Sequence, residues 1–216
     1  MKRWKKIVLG IGAAVFVAAS AFCVPTLWGT PWKIEHFYMR TFASFVLRNP
    51  ELLSGMRLLE PAGLSFHNDD LADRSPEEGR RNMVFLEETL ETLENYDRED
   101  VADPLSYDVF EWFIEDQARG RDFLFYDYPV NQLFGEQSGL PDFMINTHVV
   151  DSEEAARDYL TRVSKFERAF DQVIEGMNHR ESIGVLPPKF VMERVLVEMR
   201  EFIATPPSEH ILHTHL

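Results

Sequence analysis

The chain has 216 residues, 45% of them hydrophobic, 12% aromatic and 27% charged, a profile that excludes collagen-like and low-complexity chains and general disorder. A lone cysteine excludes a disulfide framework and any cysteine-based zinc site. The net charge of −14 argues against nucleic acid as a partner, because phosphates need basic patches.

The amino terminus carries the clearest physical signal. Lys2, Arg3, Lys5 and Lys6 precede Ile7–Val24, a stretch of 18 residues without a charge. As a helix it would measure roughly 27 Å, close to the thickness of a bilayer core. Trp4, Trp28 and Trp32 flank it, where amphipathic rings favour the interface. The basic end belongs in the cytoplasm, so the remaining chain lies outside. Two readings compete: an uncleaved single-pass anchor in the inner membrane, or a signal peptide cut after Ala21 in Ala19-Ser20-Ala21, which would release a secreted body. The long apolar run and bulky Phe22 favour the anchor. Cys23 reads as an ordinary apolar membrane residue. The expected organisation is an anchor or signal segment over 1–32, a helical domain over 33–207 and an irregular tail over 208–216.

The body reads as mainly α. Residues 34–48 form a first helix, ending before Asn49-Pro50 because the residue ahead of a proline is pushed out of the helical region. Residues 51–74 read as irregular, with Pro61, Gly63 and the polar run His67-Asn68-Asp69-Asp70. Ser75-Pro76-Glu77-Glu78 opens a helix with a capping box, and Met83, Leu86, Leu90 and Leu93 share its apolar face. Asp103-Pro104 opens another, with Leu105, Val109, Trp112 and Phe113 as its expected stripe. Asp151-Ser152-Glu153-Glu154 starts a third, carrying Tyr159, Val163, Phe166, Phe170, Val173 and Met177 and ending before Gly184. Pro187-Pro188 starts a fourth, with Val191, Val195, Met199 and Phe202 inward and Pro206-Pro207 as its stop. Each stripe reads first as core packing. Between the second and third helices, residues 122–150 show no helical period and read as one long apolar loop pinned against the helices.

Catalytic motifs are scarce. HExxH, which supplies two zinc ligands and a base, is absent. His179-Arg180-Glu181 mimics the H-x-E of zinc deaminases without their cysteine pair, and His179 reads as a solvated residue near a helix end. Gly135-Glu136-Gln137-Ser138-Gly139 has the wrong spacing for a nucleophile elbow. His210, His213 and His215 cluster in a tail that reads as mobile, with metal capture as the lesser alternative. The amides Asn131, Gln132 and Gln137 sit in the apolar loop and need hydrogen-bond partners if buried. They either tie the loop's own backbone or hold an extended peptide substrate.

Two separated segments, YPVNQLFGEQSGLPDFMINTH (Tyr128–His148) and LPPKFVMERVLVEM (Leu186–Met199), with the helix between them, resemble the bacterial family known as domain of unknown function 885. The resemblance covers most of residues 34–205. It implies an exported, largely helical protein related to zinc metallopeptidases of the HExxH type, in which such a helical region forms one wall of a substrate cleft. Family members are much longer, and their HExxH helix lies beyond the region matched, so no zinc ligand or catalytic residue transfers to this chain. Zinc is implied only for a full-length member. The tail from Ser208 departs from the family pattern, as out-of-frame reading or an incomplete gene would produce. The expectation is therefore the amino-terminal part of a membrane-anchored, metallopeptidase-like protein, inactive alone, whose partners are the membrane, a peptide substrate and a missing carboxyl-terminal half. The alternative is a tethered helical peptide-binding module without catalysis.

Overall fold

The computed structural model of the protein describes residue 16 and residues 19–216, and every regular element among them is helical. Residues 19–28 are helical. After them come α1 (Ile34–Leu47), α2 (Pro50–Met56), a 3-10 turn (Glu60–Ala62), α3 (Pro76–Leu93), α4 (Pro104–Arg119) and a second 3-10 turn (Gly120–Phe123). Then follow α5 (Glu136–Asn146), α6 (Glu153–Ser164), α7 (Phe166–Ser182), α8 (Lys189–Ala204) and α9 (Ile211–Thr214). The expected membrane segment Ile7–Val24 lies largely outside the described residues. Among those described, no helix is long and apolar enough to cross a membrane.

The expected helix starts are present, with one change of chemistry. The Ser75 hydroxyl accepts from the Glu78 N–H at 3.2 Å. Glu78 does not return the bond: the Ser75 N–H goes to the Asp73 carboxylate at 2.8 Å, and Glu78 pairs with Arg81 at 2.9 Å. Asp103 caps α4 through the N–H groups of Leu105 and Ser106. Ser152 caps α6 through the Ala155 N–H at 3.1 Å. Such side-chain oxygens satisfy donors that the first helical turn leaves unpaired.

The contacts gather into two compact units, Met1–Phe45 with Val84–Arg119, and Val46–Met83 with Gly120–Leu216. In the first, Ile34, Phe37, Leu93 and Tyr107 form the core, with Tyr38, Tyr96, Val101 and Phe110 packed on it. Phe37 stacks on Tyr96 and meets Phe110 edge-on, both at 5.8 Å between ring centres. The Tyr96 hydroxyl donates to the Pro31 carbonyl at 2.6 Å. Arg40 donates to the carbonyls of Thr26 and Gly29, placing a cation where the 19–28 helix ends.

This unit corrects the expected stripe of α4. Leu105 (71% exposed), Val109 (57%), Trp112 (61%) and Phe113 (52%) face outward, while Tyr107 and Ile114 are buried. Both sets obey helical spacing, so the sequence offers α4 two apolar faces. The aromatic cluster on Phe37 selects the one bearing Tyr107 and Phe110.

In the second unit, α5 packs against α7 and α9, and α6 against α7. Leu71, Leu140 and Ala169 make one core cluster with Phe166 and Phe170; Val130, Val173 and Val195 make another with Met177 and Met192. Four expectations change here. Residues 50–56 form α2, because Pro50 also suits the first position of a helix. The long loop, expected from its lack of helical period, is interrupted by α5, which contains Gly139 and Pro141. The third helix divides at Lys165, where the Thr161 hydroxyl bonds back to Arg157 and the Ser164 hydroxyl to Thr161, a pattern that bends helices. The tail, expected to be mobile, includes α9 and is held by the Tyr159 hydroxyl donating to the Leu212 carbonyl at 2.8 Å.

The two faces of α4 give opposite expectations. Ile114→Ala should cost about 2–5 kcal/mol of stability in denaturant titration. Trp112→Ser should stay within about 0.5 kcal/mol of the parent. Equal costs would show that the outward face is packed.

Candidate functional site

The segment leading into α5 is ordered by its own amides. The Asn131 side-chain oxygen accepts from the N–H groups of Leu133 and Phe134, both at 2.9 Å, and its Nδ2 donates to the Tyr128 carbonyl at 2.9 Å. Gln137 Nε2 donates to the Asn131 carbonyl at 2.6 Å. Glu136 closes the turn from its N–H to the Pro129 carbonyl. Gly135 is required by close approach: a Cβ there would lie 2.0 Å from Gln137 Oε1 and 2.6 Å from the Asn131 backbone. Gln132 is half-buried beside this turn. The structure thus brings Asn131 and Gln137 together, with their hydrogen bonds directed at the local backbone.

That turn holds Leu133 and Phe134 out into solvent, Phe134 at 90% exposure. They stand at the rim of a groove of about 850 Å³ formed with α5, α7, α8 and α9. Pro141 and Ile145 from α5, Phe166 and Phe170 from α7, Met199, Phe202 and Ile203 from α8, and Ile211 from α9 give it an apolar lining. Gln137 reaches this groove; Asn131 and Gln132 do not line it. A concave apolar surface with a few polar groups is the usual form of a ligand site.

Beside the groove the unit is fixed by a buried arginine. Arg162 is fully buried, although it stands on the face of α6 that continues from Tyr159 to Phe166. Its Nε donates to the Asp70 carbonyl (2.7 Å), and its Nη2 to the His67 carbonyl (2.7 Å) and the Ser54 hydroxyl (3.1 Å). Nη1 meets His148 Nδ1 at 2.8 Å, and the guanidinium lies over the Phe143 ring, 4.9 Å from its centre. Burial pulls the Arg162 pKa down to about 10, which leaves it charged at neutral pH. His148 Nδ1 must then accept, so its proton sits on Nε2, which faces the Ala155 carbonyl at 3.2 Å. Burial, with Arg162 and His215 nearby, lowers the His148 pKa below its ordinary value.

Arg74 makes a second junction. It donates to Glu136 at 2.7 Å and Glu51 at 2.8 Å, while its own N–H donates to Gln172. Arg162 and Arg74 together tie the irregular 57–75 segment to α2, α5 and α7. Sequence reasoning missed Arg162, His148 and the groove. The available signal was a charge on an apolar stripe, since residues 159, 162, 166, 169 and 173 follow helical spacing.

The histidine tail does not build a metal centre. His210 stacks edge-on against Phe202 and caps α9, while the His215 ring lies near Tyr159. Among the described residues, no three His, Cys, Asp or Glu side chains converge to hold an ion. His179 is half-buried rather than solvated, its ring edge-on to Phe125 at 4.4 Å. Among the described residues, therefore, the donor set does not fit a catalytic zinc.

The described residues form a helical body, and its second unit carries an apolar groove. The family model described as bacterial protein of unknown function, DUF885, matches residues 59–214, and the chain belongs to that family. The match reaches residue 214, so residues 208–214 of the tail that sequence reading set apart are part of the family region. None of the curated proteins matches the sequence. A crystal structure described as "the putative lipoprotein from Colwellia psychrerythraea" shares the fold, with a TM-score of 0.64 and 17% identity. The match covers 82% of this chain and 33% of that one, so the chain spans about a third of the length of that structure.

Two outcomes test this geometry. Gly135→Ala should destabilise the protein by about 1–3 kcal/mol, the range for overpacking, as read from its denaturation midpoint. The unfolded chain protonates His148 near its ordinary value of 6.5, and the folded chain only at lower pH. Its contribution to stability is therefore complete above pH 6.5 and declines as pH falls through the folded pKa. Urea titrations at neutral and mildly acidic pH should show that decline, and His148→Gln should flatten it.

Proposed function

We propose that this chain is the helical, non-catalytic amino-terminal part of an exported, membrane-anchored protein of metallopeptidase type, and that its second unit forms one wall of a substrate cleft. The observation that carries the reading is the family match over residues 59–214, with the same fold occupying a third of a longer solved chain. The lipoprotein designation of the Colwellia protein and the basic, apolar amino terminus both support export. Zinc and the hydrolytic base would come from polypeptide beyond the matched region. Asn131, Gln132 and Gln137 are proposed to shape the cleft wall, Gln137 by direct contact with a bound peptide.

The groove favours a second reading, a tethered peptide-binding module that works without catalysis. Two measurements separate them. The purified chain with added zinc should not hydrolyse unstructured peptides. An antibody to residues 75–200 should detect, in the native cells, a membrane-associated species much heavier than these 216 residues. A native species of this chain's own mass would sink the first reading and leave the binding module.

A further inference from the structure

The groove beside α5 has an apolar lining with few charges. Its charged lining residues are Asp142 and Glu198, both acidic, and no lysine or arginine lines it. The Asp142 carboxylate accepts from Asn146 at 2.7 Å. Glu198 pairs with no cation among the described residues. Against a net charge of −14, a second copy would bring like charges together at this rim. The volume, about 850 Å³, falls in the range of pockets that hold drug-sized ligands. The turn built by Asn131 orders the backbone that carries Phe134 at the mouth of the groove.

We infer that this groove binds a short apolar peptide segment with a basic end, its Leu- or Phe-like side chains against Phe166, Phe170, Met199 and Phe202, and its cation beside Glu198. The assignment rests on the cleft-wall reading above and names the substrate class of that wall. The apolar lining supplies affinity, and the two carboxylates select the sign of the flanking charge.

The test is fluorescence anisotropy on the full chain in phosphatidylcholine nanodiscs, with empty nanodiscs as the blank. The probes are fluorescein-labelled KKLFLF and its counterpart EELFLF. KKLFLF should bind at least tenfold more tightly than EELFLF and lose affinity as salt rises. Glu198→Gln should weaken it about threefold to fivefold, the size of one exposed charge pair. Met199→Glu and Ile203→Glu place charge at exposed positions of α8 and should each weaken binding at least tenfold without moving the thermal melt.

Equal binding of the two probes, or unchanged binding in both groove variants, overturns the assignment. So does a concentration-dependent dimer that Met199→Glu dissolves, because the groove would then be an interface between copies. Thiol labelling of Met199→Cys in a Cys23→Ser background covers the remaining occupant. Protection in the native-length species without peptide means that more of the same polypeptide fills the groove, which also overturns it. A folded chain that ignores KKLFLF defeats this assignment alone, since the cleft-wall reading is judged by native mass.

Discussion

The buried guanidinium of Arg162 is the constraint on which the second unit depends. Taking an ion out of water costs several kcal/mol unless its donors are satisfied. Here they are met by the Asp70 and His67 carbonyls, the Ser54 hydroxyl and the His148 ring, with Phe143 beneath the plane. Among the described residues no carboxylate pairs directly with it; Glu51, Asp158, Asp69 and Asp70 act from a distance. A network of this kind allows one arrangement of the irregular 57–75 segment, because every displaced group would leave a buried donor unpaired. It also dictates the tautomer of His148, so the contact between His148 and α6 carries a protonation requirement.

The groove follows from that rigidity. Leu71, inside the segment that Arg162 and Arg168 hold, packs on Leu140 and Ala169 and so sets the distance between α5 and α7. The amide turn at Asn131 then presents Leu133 and Phe134 beyond the helices instead of folding them inward. The rim of the groove is thus built by hydrogen bonds from Asn131 and Gln137 to the local backbone.

Several sequence expectations failed for a common reason. α4 carries two apolar faces, and periodicity alone could not say which one meets a partner. Proline was read as a terminator at Pro50, yet it opens α2. The tail had no visible period because its order comes from single contacts, Tyr159 to Leu212 and Phe202 to His210. Each case turns on a neighbour distant in sequence, which local pattern does not contain.

The sequence by itself determined the helical class, the helix starts at Ser75, Asp103 and Ser152, and the family, because caps, spacing and motifs are local properties. The stripe Tyr159, Phe166, Phe170, Val173 and Met177 was legible for the same reason. Tertiary structure alone decided which face of α4 is buried, that Arg162 lies in the core, and that an apolar groove opens beside the amide turn. Those outcomes depend on which surfaces meet and which polar groups can be satisfied there. That is set by the simultaneous packing of several helices, and no single helix encodes it.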